Sequence, residues 1–420
     1  MFKITMFQTG FEFWSFEFWY CFEIRASDFE FIINMEVAIL SGVNSKFGEL
    51  WETSPRDLVR DVALQAISEA GIKPSEIDAI FVGNMLSGML AQQEHLGAFF
   101  AEELGLPVSA IRVEGACASG GLAVHLGVCA ISSGMYRNVL IVGVEKMTDY
   151  KPEEVAHALM GAGSDVEREA GATFPALYAL MAQVHMTRFG TTSEQLAWVA
   201  VKNHYHATLS ENAQFPFAVS VEQVLKSSMV AYPLHLLDCS PITDGASAVV
   251  LSINSKHQIP NSKTVNIIAS AVATDTLGLA QRKDLTTIDA AVRAGKMAYE
   301  QAGIGPSDID VCEVHDCFTI AEVLAMEDLG FFKKGEAGEK IAAGVTTLGK
   351  GKKLIVNTSG GLKAAGHPVG ATGVKQIVEV FHQLAGSAGK KQVEGARLGL
   401  AHNVGGSGAT AVVHILKSLK

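Results

Sequence analysis

No two cysteines in this sequence are spaced as Cys-x-x-Cys. The six cysteines stand at positions 21, 117, 129, 239, 312 and 317 of 420 residues. That scatter excludes a zinc ribbon or a thioredoxin-like pair and fits a reducing compartment, where thiols stay free. No uninterrupted apolar run is long enough to cross a bilayer, so no membrane partner is indicated. Positive charge is scarce: 33 Lys and Arg stand against 44 Asp and Glu, a formal net charge of −11. Nucleic acid is thereby disfavoured as the main partner, although a phosphorylated ligand needs only a local basic patch. There is no P-loop, and no dinucleotide fingerprint opens the first half. Only 18% of residues are charged and 48% are hydrophobic, which describes a globular chain with large cores and length for two or three domains.

Aromatics are crowded at one end. Residues 1–34 hold 12 of the chain's 32 Phe, Trp and Tyr. Glu12, Glu17 and Glu23 interrupt any signal-peptide core. The alternation would also suit an edge strand, but the expectation is that 1–34 lies outside the fold. Met35 then begins the globular part, and Glu36-Val37-Ala38-Ile39-Leu40 reads as its first strand.

The chain repeats itself. Residues 70–80, AGIKPSEIDAI, match residues 302–312, AGIGPSDIDVC, at seven of eleven positions, 232 residues apart. Each copy follows an amphipathic helix and precedes an apolar strand. In the first copy Ser54 is the N-cap, Pro55 occupies the first helical position, and Leu58, Val59, Val62, Ala66 and Ile67 line one face. The period is too long for a solenoid. It predicts two similar α/β halves, each a mostly parallel sheet covered by helices. The halves are expected at 35–149 plus 241–262 and at 263–420, with the His-, Met- and Tyr-rich segment 150–240 inserted between them.

Chemistry-bearing residues sit on the connections. Gly115-Ala116-Cys117-Ala118-Ser119-Gly120-Gly121 follows the apolar segment Ala110–Val113 and opens a helix. A thiol at a strand-to-helix turn meets unpaired backbone N–H groups and a helix dipole, which lower its pKa and favour a nucleophile. The second repeat strand ends in His315-Asp316-Cys317-Phe318. A glycine-rich run, Ser359 to Gly373, carries Gly366-His367-Pro368. Counted from the repeat strands, His367 occupies the connection of the second half that Cys117 occupies in the first. The run His402-Asn403-Val404-Gly405-Gly406-Ser407-Gly408 lies between two strand-like segments near the end.

These loops, in this order from Met35 onward, resemble the thiolases, a family of acyl-CoA acyltransferases. His-Asp-Cys-Phe is similar to the motif of sterol-carrier-protein-type thiolases and archaeal acetyl-CoA acetyltransferases. Many other thiolases carry Asn-Glu-Ala-Phe there and a second catalytic cysteine in the final Cys-x-Gly turn, where this sequence has Asn403. The resemblance implies a duplicated, five-layered α-β-α-β-α thiolase-like fold with an inserted loop subdomain. It implies Cys117 as acyl-accepting nucleophile, His367 as its base, Cys317 as the second acid–base thiol, and His367 with a water or side chain held by His315 as the oxyanion hole of the enolate. Backbone N–H groups of Cys117 and Gly405 would hold the thioester oxyanion. Ser240 would touch the pantetheine arm of coenzyme A within the inserted, CoA-binding subdomain.

The implied activity is condensation of two acetyl-CoA to acetoacetyl-CoA and CoA, feeding mevalonate and isoprenoid synthesis in the cytoplasm. Coenzyme A thioesters are substrates, with no metal and no permanently bound cofactor. A homodimer or homotetramer is implied, as is a complex with a hydroxymethylglutaryl-CoA synthase and a small zinc-ribbon/OB-fold protein. Degradative cleavage of longer 3-ketoacyl-CoA chains stays open. So do a β-ketoacyl synthase, for which Cys317 would be superfluous, and a non-catalytic acyl-CoA-binding subunit. Outside the motifs the readings are plainer. Cys129, Cys239 and Cys312 are expected in the core. His204 and His206 are expected at a solvated helix edge, because their i, i+2 spacing shares no helix face. Lys202, Arg188 and Lys226 could meet CoA phosphates by the resemblance, but the expectation is that they are isolated surface charges.

Overall fold

A computed structural model describes residues 37–253, 265–350 and 353–419. The expectation for 1–34 therefore lies outside the described residues. The first half contains β1 (Val37–Asn44), α1 (Pro55–Glu69), β2 (Ala79–Gly83), β3 (Ser109–Val113), α2 (Ser119–Ser132) and β4 (Asn138–Glu145). Two long helices follow, α3 (Phe174–Phe189) and α4 (Ser193–Ala207), then β5 (Gly245–Ile253). Beyond them come β6 (Val265–Thr274), α5 (Asp289–Ala302), β7 (Val311–Glu313), α6 (Thr319–Asp328), β8 (Ile355–Val356), α7 (Thr372–Ala385), β9 (Leu398–Gly405) and β10 (Thr410–Ser418).

The duplication is written into the sheet. Its ten strands run β8-β7-β9-β10-β6-β1-β5-β4-β2-β3. Each set of five has the same internal order, and the two sets join where Val37–Ile39 of β1 pair antiparallel with Val265–Ile267 of β6. The sets are mixed rather than mostly parallel. β2 runs parallel to β3 and β4, whereas β5 is antiparallel to both β4 and β1. In the second set β9 and β10 form a hairpin paired from Leu398–Lys417 to Gly405–Thr410. A connection that short forces antiparallel pairing, so the glycine-rich segment after His402 is half strand and half hairpin turn.

Helix placement makes the five layers. α1 covers β5, β1 and β4 on one outer side, and α5 covers β6 and β10 on the other. Between the two sets lie α2 and α7, packed on each other; α2 touches β4 and β6, and α7 touches β9 and β5. The strands are thus buried on both faces, which explains their continuous apolar runs. Along β4, Val139 and Ile141 enter the central core while Leu140 and Val142 enter the outer one. The predicted details of α1 hold: Ser54 caps it with Pro55 in its first turn, and the five named apolar residues are buried. α4, from the segment between the halves, packs on α6 and on the short helix Gly361–Ala365.

Candidate active site

Two equivalent connections meet at the centre. Cys117 lies in a one-turn 3-10 segment, Ala116–Ala118, between β3 and α2. His367 lies between the short helix after β8 and α7. The approach of α2 to α7 requires glycine. A Cβ on Gly120 would stand 2.8 Å from the Gly370 carbonyl oxygen, and one on Gly373 would stand 2.0 Å from the Gly121 nitrogen. The spacings Cys117-x-x-Gly120 and His367-x-x-x-x-x-Gly373 therefore let two helix N-termini touch. Ala116 adopts a left-handed φ of 54°, strain of a kind that concentrates at functional turns.

The side chains converge. The Cys117 sulfur and one ring nitrogen each of His315 and His367 all lie within 4.8 Å of one another. The two imidazoles meet edge to face at 5.1 Å between centroids. His367 is held by its neighbours: its N–H donates to Thr243 Oγ1 at 3.0 Å, and its Nδ1 lies 2.7 Å from Thr372 Oγ1. The Thr372 hydroxyl donates to the Pro368 carbonyl at 3.1 Å. It therefore accepts from His367 Nδ1–H, which leaves Nε2 of His367 as a lone pair. Asn403 stands behind the cluster, bonded to the Cys117 carbonyl at 3.0 Å, the Gly121 N–H at 3.1 Å and His315 Nδ1 at 3.2 Å.

A cavity of about 210 Å³ opens onto Cys117 and His367, with His315 buried just behind them, and is lined also by Cys317, Tyr178, Cys239 and Ser240. Met147, Phe174, Ile242 and Val369 make its remaining wall largely apolar. Ser240 is fixed there by donating its N–H to the Cys317 carbonyl at 2.9 Å. Tyr178, from α3, was not anticipated. Its hydroxyl donates to the Gly406 carbonyl at 3.1 Å and lies within hydrogen-bonding reach of the Cys317 sulfur. Its ring packs on Phe318 at 4.7 Å. A tyrosine on the apolar face of a helix carries no mark in sequence that separates it from ordinary core.

Burial reverses the expected thiol chemistry. Desolvation pushes Cys117 up to about 12, against the amides of Gly406 and Cys117, which pull it down. The helix N-terminus does not win, because the sulfur is nearly sealed from water and a charge there loses its hydration. Burial likewise raises Cys317 well above the ordinary thiol value, and the nearness of Cys117 adds to the shift. Burial lowers His367 to about 3 and His315 far below the ordinary imidazole range. All four groups rest uncharged. The amide at the Cys117 sulfur belongs to Gly406, not the expected Gly405. Gly405 pairs with Thr410 in the hairpin, and its α-carbon abuts the Gly115 carbonyl so closely that a Cβ would stand 2.4 Å away.

Two buried carboxylates lace the loops together. Glu145, at the end of β4, accepts from the N–H groups of Met85, Leu86 and Gly370, each at 3.0 Å, and from Asn84 Nδ2 at 2.8 Å. It ties the loop of His367 to the first half, and burial raises it to about 7. Asp316 stands between His315 and Cys317. Its carboxylate accepts from the N–H groups of Leu362 and Lys363 at 2.6 and 3.2 Å, and from Asn203 Nδ2 at 2.7 Å. It thereby caps the short helix that leads into His367. Burial and the neighbouring Glu322 carboxylate push Asp316 up from the usual range. Asp316→Ala leaves three buried donors unpaired and is expected to destabilise the protein by about 3 kcal/mol or more, read as a lowered denaturant midpoint.

Several expectations are overturned. Cys239 belongs to the cavity wall rather than the core, and Cys129 is exposed on α2, whereas Cys312 is buried as expected. His204 and His206 are both fully buried. His206 is bonded through Nδ1 to the Asn357 carbonyl at 3.0 Å and accepts the Leu348 N–H at 2.9 Å. The solvated edge of α4 at this point is Tyr205, 41% exposed, and the histidines on either side of it turn into the protein. Lys202 is 3% exposed and paired with Glu322 at 2.9 Å, so it cannot reach a phosphate. Arg188 and Lys226 are surface residues, as expected, and pair with Asp284 and Glu222. Among the described residues no helix is long and apolar enough to cross a membrane.

Comparison with known proteins places these features among relatives. Residues 37–255 match the thiolase N-terminal domain and residues 271–418 the thiolase C-terminal domain-like family. The chain is 50% identical over 383 residues to an acetyl-CoA acetyltransferase of Methanothermobacter thermautotrophicus, covering 90% of this chain and 99% of that protein. It is 45% identical over 389 residues to an acetyl-CoA acetyltransferase of Methanocaldococcus jannaschii, covering 91% and 98%. Among solved structures, the Ltp2-ChsH2(DUF35) aldolase superposes with a TM-score of 0.77 at 24% identity, over 92% of this chain and 99% of that one.

Proposed function

The chain belongs to the thiolase family, and from that premise we propose that it is an acetyl-CoA C-acetyltransferase joining two acetyl-CoA into acetoacetyl-CoA and CoA. The observation that carries the reading is the convergence of the Cys117 sulfur with His315 and His367, beside a cavity that also exposes Cys317. Extensive identity to two archaeal acetyl-CoA acetyltransferases supports the choice of substrate.

The resting charges shape the order of events. Cys117 rests as a thiol and His367 as a neutral base, so the proton moves to Nε2 as the sulfur attacks, not before. The Cys117–acetyl bond forms while the acetyl bond to CoA breaks. The amides of Cys117 and Gly406 hold the oxyanion. The departing CoA sulfur takes the proton of Cys317, and the thiolate that remains is stabilised by the Phe318 amide and by the Tyr178 hydroxyl, which turns its single hydrogen from the Gly406 carbonyl to the sulfur. That thiolate removes a methyl proton from the second acetyl-CoA. Protonated His367 and His315 hold the enolate oxygen while its carbon attacks the acetyl group. Cys117 leaves and recovers its proton from His367, which restores every group.

Ser240, in the cavity wall, contacts the pantetheine arm. The proposed division is 35–149 plus 241–262 for the first half, 150–240 for the inserted segment and 263–420 for the second half. The product enters mevalonate and isoprenoid synthesis in the cytoplasm. A homodimer or homotetramer is supported by β3, an edge strand of the sheet that leaves Ile111 48% exposed. A further complex with a hydroxymethylglutaryl-CoA synthase and a small zinc-ribbon/OB-fold protein finds support in the structural likeness to an aldolase that carries a DUF35 partner. Thiolysis assays over a range of 3-ketoacyl-CoA lengths test the substrate. Acetoacetyl-CoA is expected to react fastest, and a preference for chains of eight carbons or more overturns the reading.

A further inference from the structure

We propose that Asn403 fixes the proton of His315 on Nε2 and so makes this histidine an obligate hydrogen-bond donor to the enolate oxygen. The inference rests on the condensing role proposed above and adds a positioning residue to it. Asn403 is buried where β9 meets the N-terminus of α2. Two partners of fixed polarity set its carboxamide. Oδ1 accepts the Gly121 N–H at 3.1 Å, and Nδ2 donates to the Cys117 carbonyl at 3.0 Å. A backbone N–H only donates and a carbonyl only accepts, so the amide cannot be turned over. The second Nδ2 hydrogen faces His315 Nδ1 at 3.2 Å. That ring nitrogen must hold a lone pair, and the neutral ring then carries its proton on Nε2. Nε2 is buried and has no hydrogen-bond partner in the protein. Unpaired buried donors are rare in native proteins, and here a substrate oxygen supplies the acceptor.

The surroundings keep that tautomer neutral. The titratable groups facing His315 are Cys117 and His367 in the cavity and His402 on β9. Burial holds the thiol protonated and both histidines uncharged. Of the adjoining residues, Cys317 also rests as a thiol and Asp316 is engaged by the Leu362 and Lys363 amides. No neighbouring group is placed to favour an imidazolium, so a single carboxamide decides which nitrogen donates. The same carboxamide grips the carbonyl of the nucleophile, which sets donor and sulfur in one frame.

Asn403→Asp tests this by replacing the donor with an acceptor. His315 must then carry its proton on Nδ1, and the neutral ring offers a lone pair to the enolate. Acetylation of Cys117 by acetyl-CoA, read by intact mass, also loses the hydrogen bond from Nδ2 to the Cys117 carbonyl, but it is expected to fall at least tenfold less than condensation, because backbone amides hold the oxyanion of that step. Condensation at pH 8 is expected to fall about 10²- to 10³-fold, the usual effect of losing one oxyanion donor. It should then recover as the pH is lowered, because the new carboxylate beside Nδ1 favours a doubly protonated ring that burial otherwise disfavours. Asn403→Ala is expected to lose condensation without that recovery. An Asn403→Asp enzyme that condenses like wild type, or that loses both half-reactions equally with an unchanged pH profile, overturns the inference. Absence of acetylation in the wild-type protein overturns the parent reading instead. Should the Asn403 variants not fold, His315→Gln and His315→Asn decide the matter. The glutamine amide reaches the place of Nε2 and the asparagine amide only that of Nδ1, so the glutamine variant is expected to condense at least tenfold faster. Equal loss or the reverse order counts against Asn403.

Discussion

Cys117→Ala abolishes turnover, with a loss of roughly 10⁴-fold or more, as for other enzymes deprived of a covalent nucleophile. The same variant shows no added mass after incubation with acetyl-CoA, whereas the wild type gains one acetyl group. The argument is geometric as well as chemical. The sulfur is the group within the 4.8 Å cluster that forms a thioester, and His367 Nε2 is the lone pair left to receive its proton. Burial holds the thiol at about 12, so free thiolate is scarce at neutral pH. Inactivation by iodoacetamide is therefore slow at pH 7 and rises as the pH is raised above 9. Equal adduct formation in wild type and Cys117→Ala removes Cys117 from the mechanism, and no adduct in either leaves an acyl-CoA-binding subunit as the alternative.

Cys317→Ala separates the two half-reactions. Acetylation of Cys117 persists within about tenfold, because the CoA thiolate is itself a tolerable leaving group and the oxyanion is held by backbone amides. Condensation falls by about 10²- to 10⁴-fold, the range for removing a positioned acid–base group. Exchange of deuterium from methyl-labelled acetyl-CoA into water reads the missing step directly and is expected to cease. The prediction follows from position: Cys317 lines the same cavity as Cys117, and the Tyr178 hydroxyl lies at its sulfur. If exchange continues in Cys317→Ala, another group takes the methyl proton and Cys317 is a wall residue.

Much of this was legible along the chain. The repeated elevens at 70–80 and 302–312 announce two halves whose five strands do take the same order. The helix caps, the apolar face of α1 and the glycines beside Cys117 and His367 are local signals, and local signals survive folding because they depend on spacing alone. The strand directions were misread because apolar runs report burial on two faces without reporting which neighbour is antiparallel. Tyr178, Glu145 and the Asp316 cap escaped notice for a related reason. Each gains its meaning from partners remote in sequence, as when Glu145 grips Gly370.

By itself the sequence determined the family, the duplication and which residue types reach the central loops, since motif order and periodicity are properties of the chain. Folding alone decided their chemical state. A thiol at a helix start reads as acidic until ten strands and two helices close over it and exclude water. Likewise, His206 reads as solvated until α4 is covered. Desolvation and hydrogen-bond polarity are set by whatever packs against a group, and those neighbours are brought together only by tertiary structure.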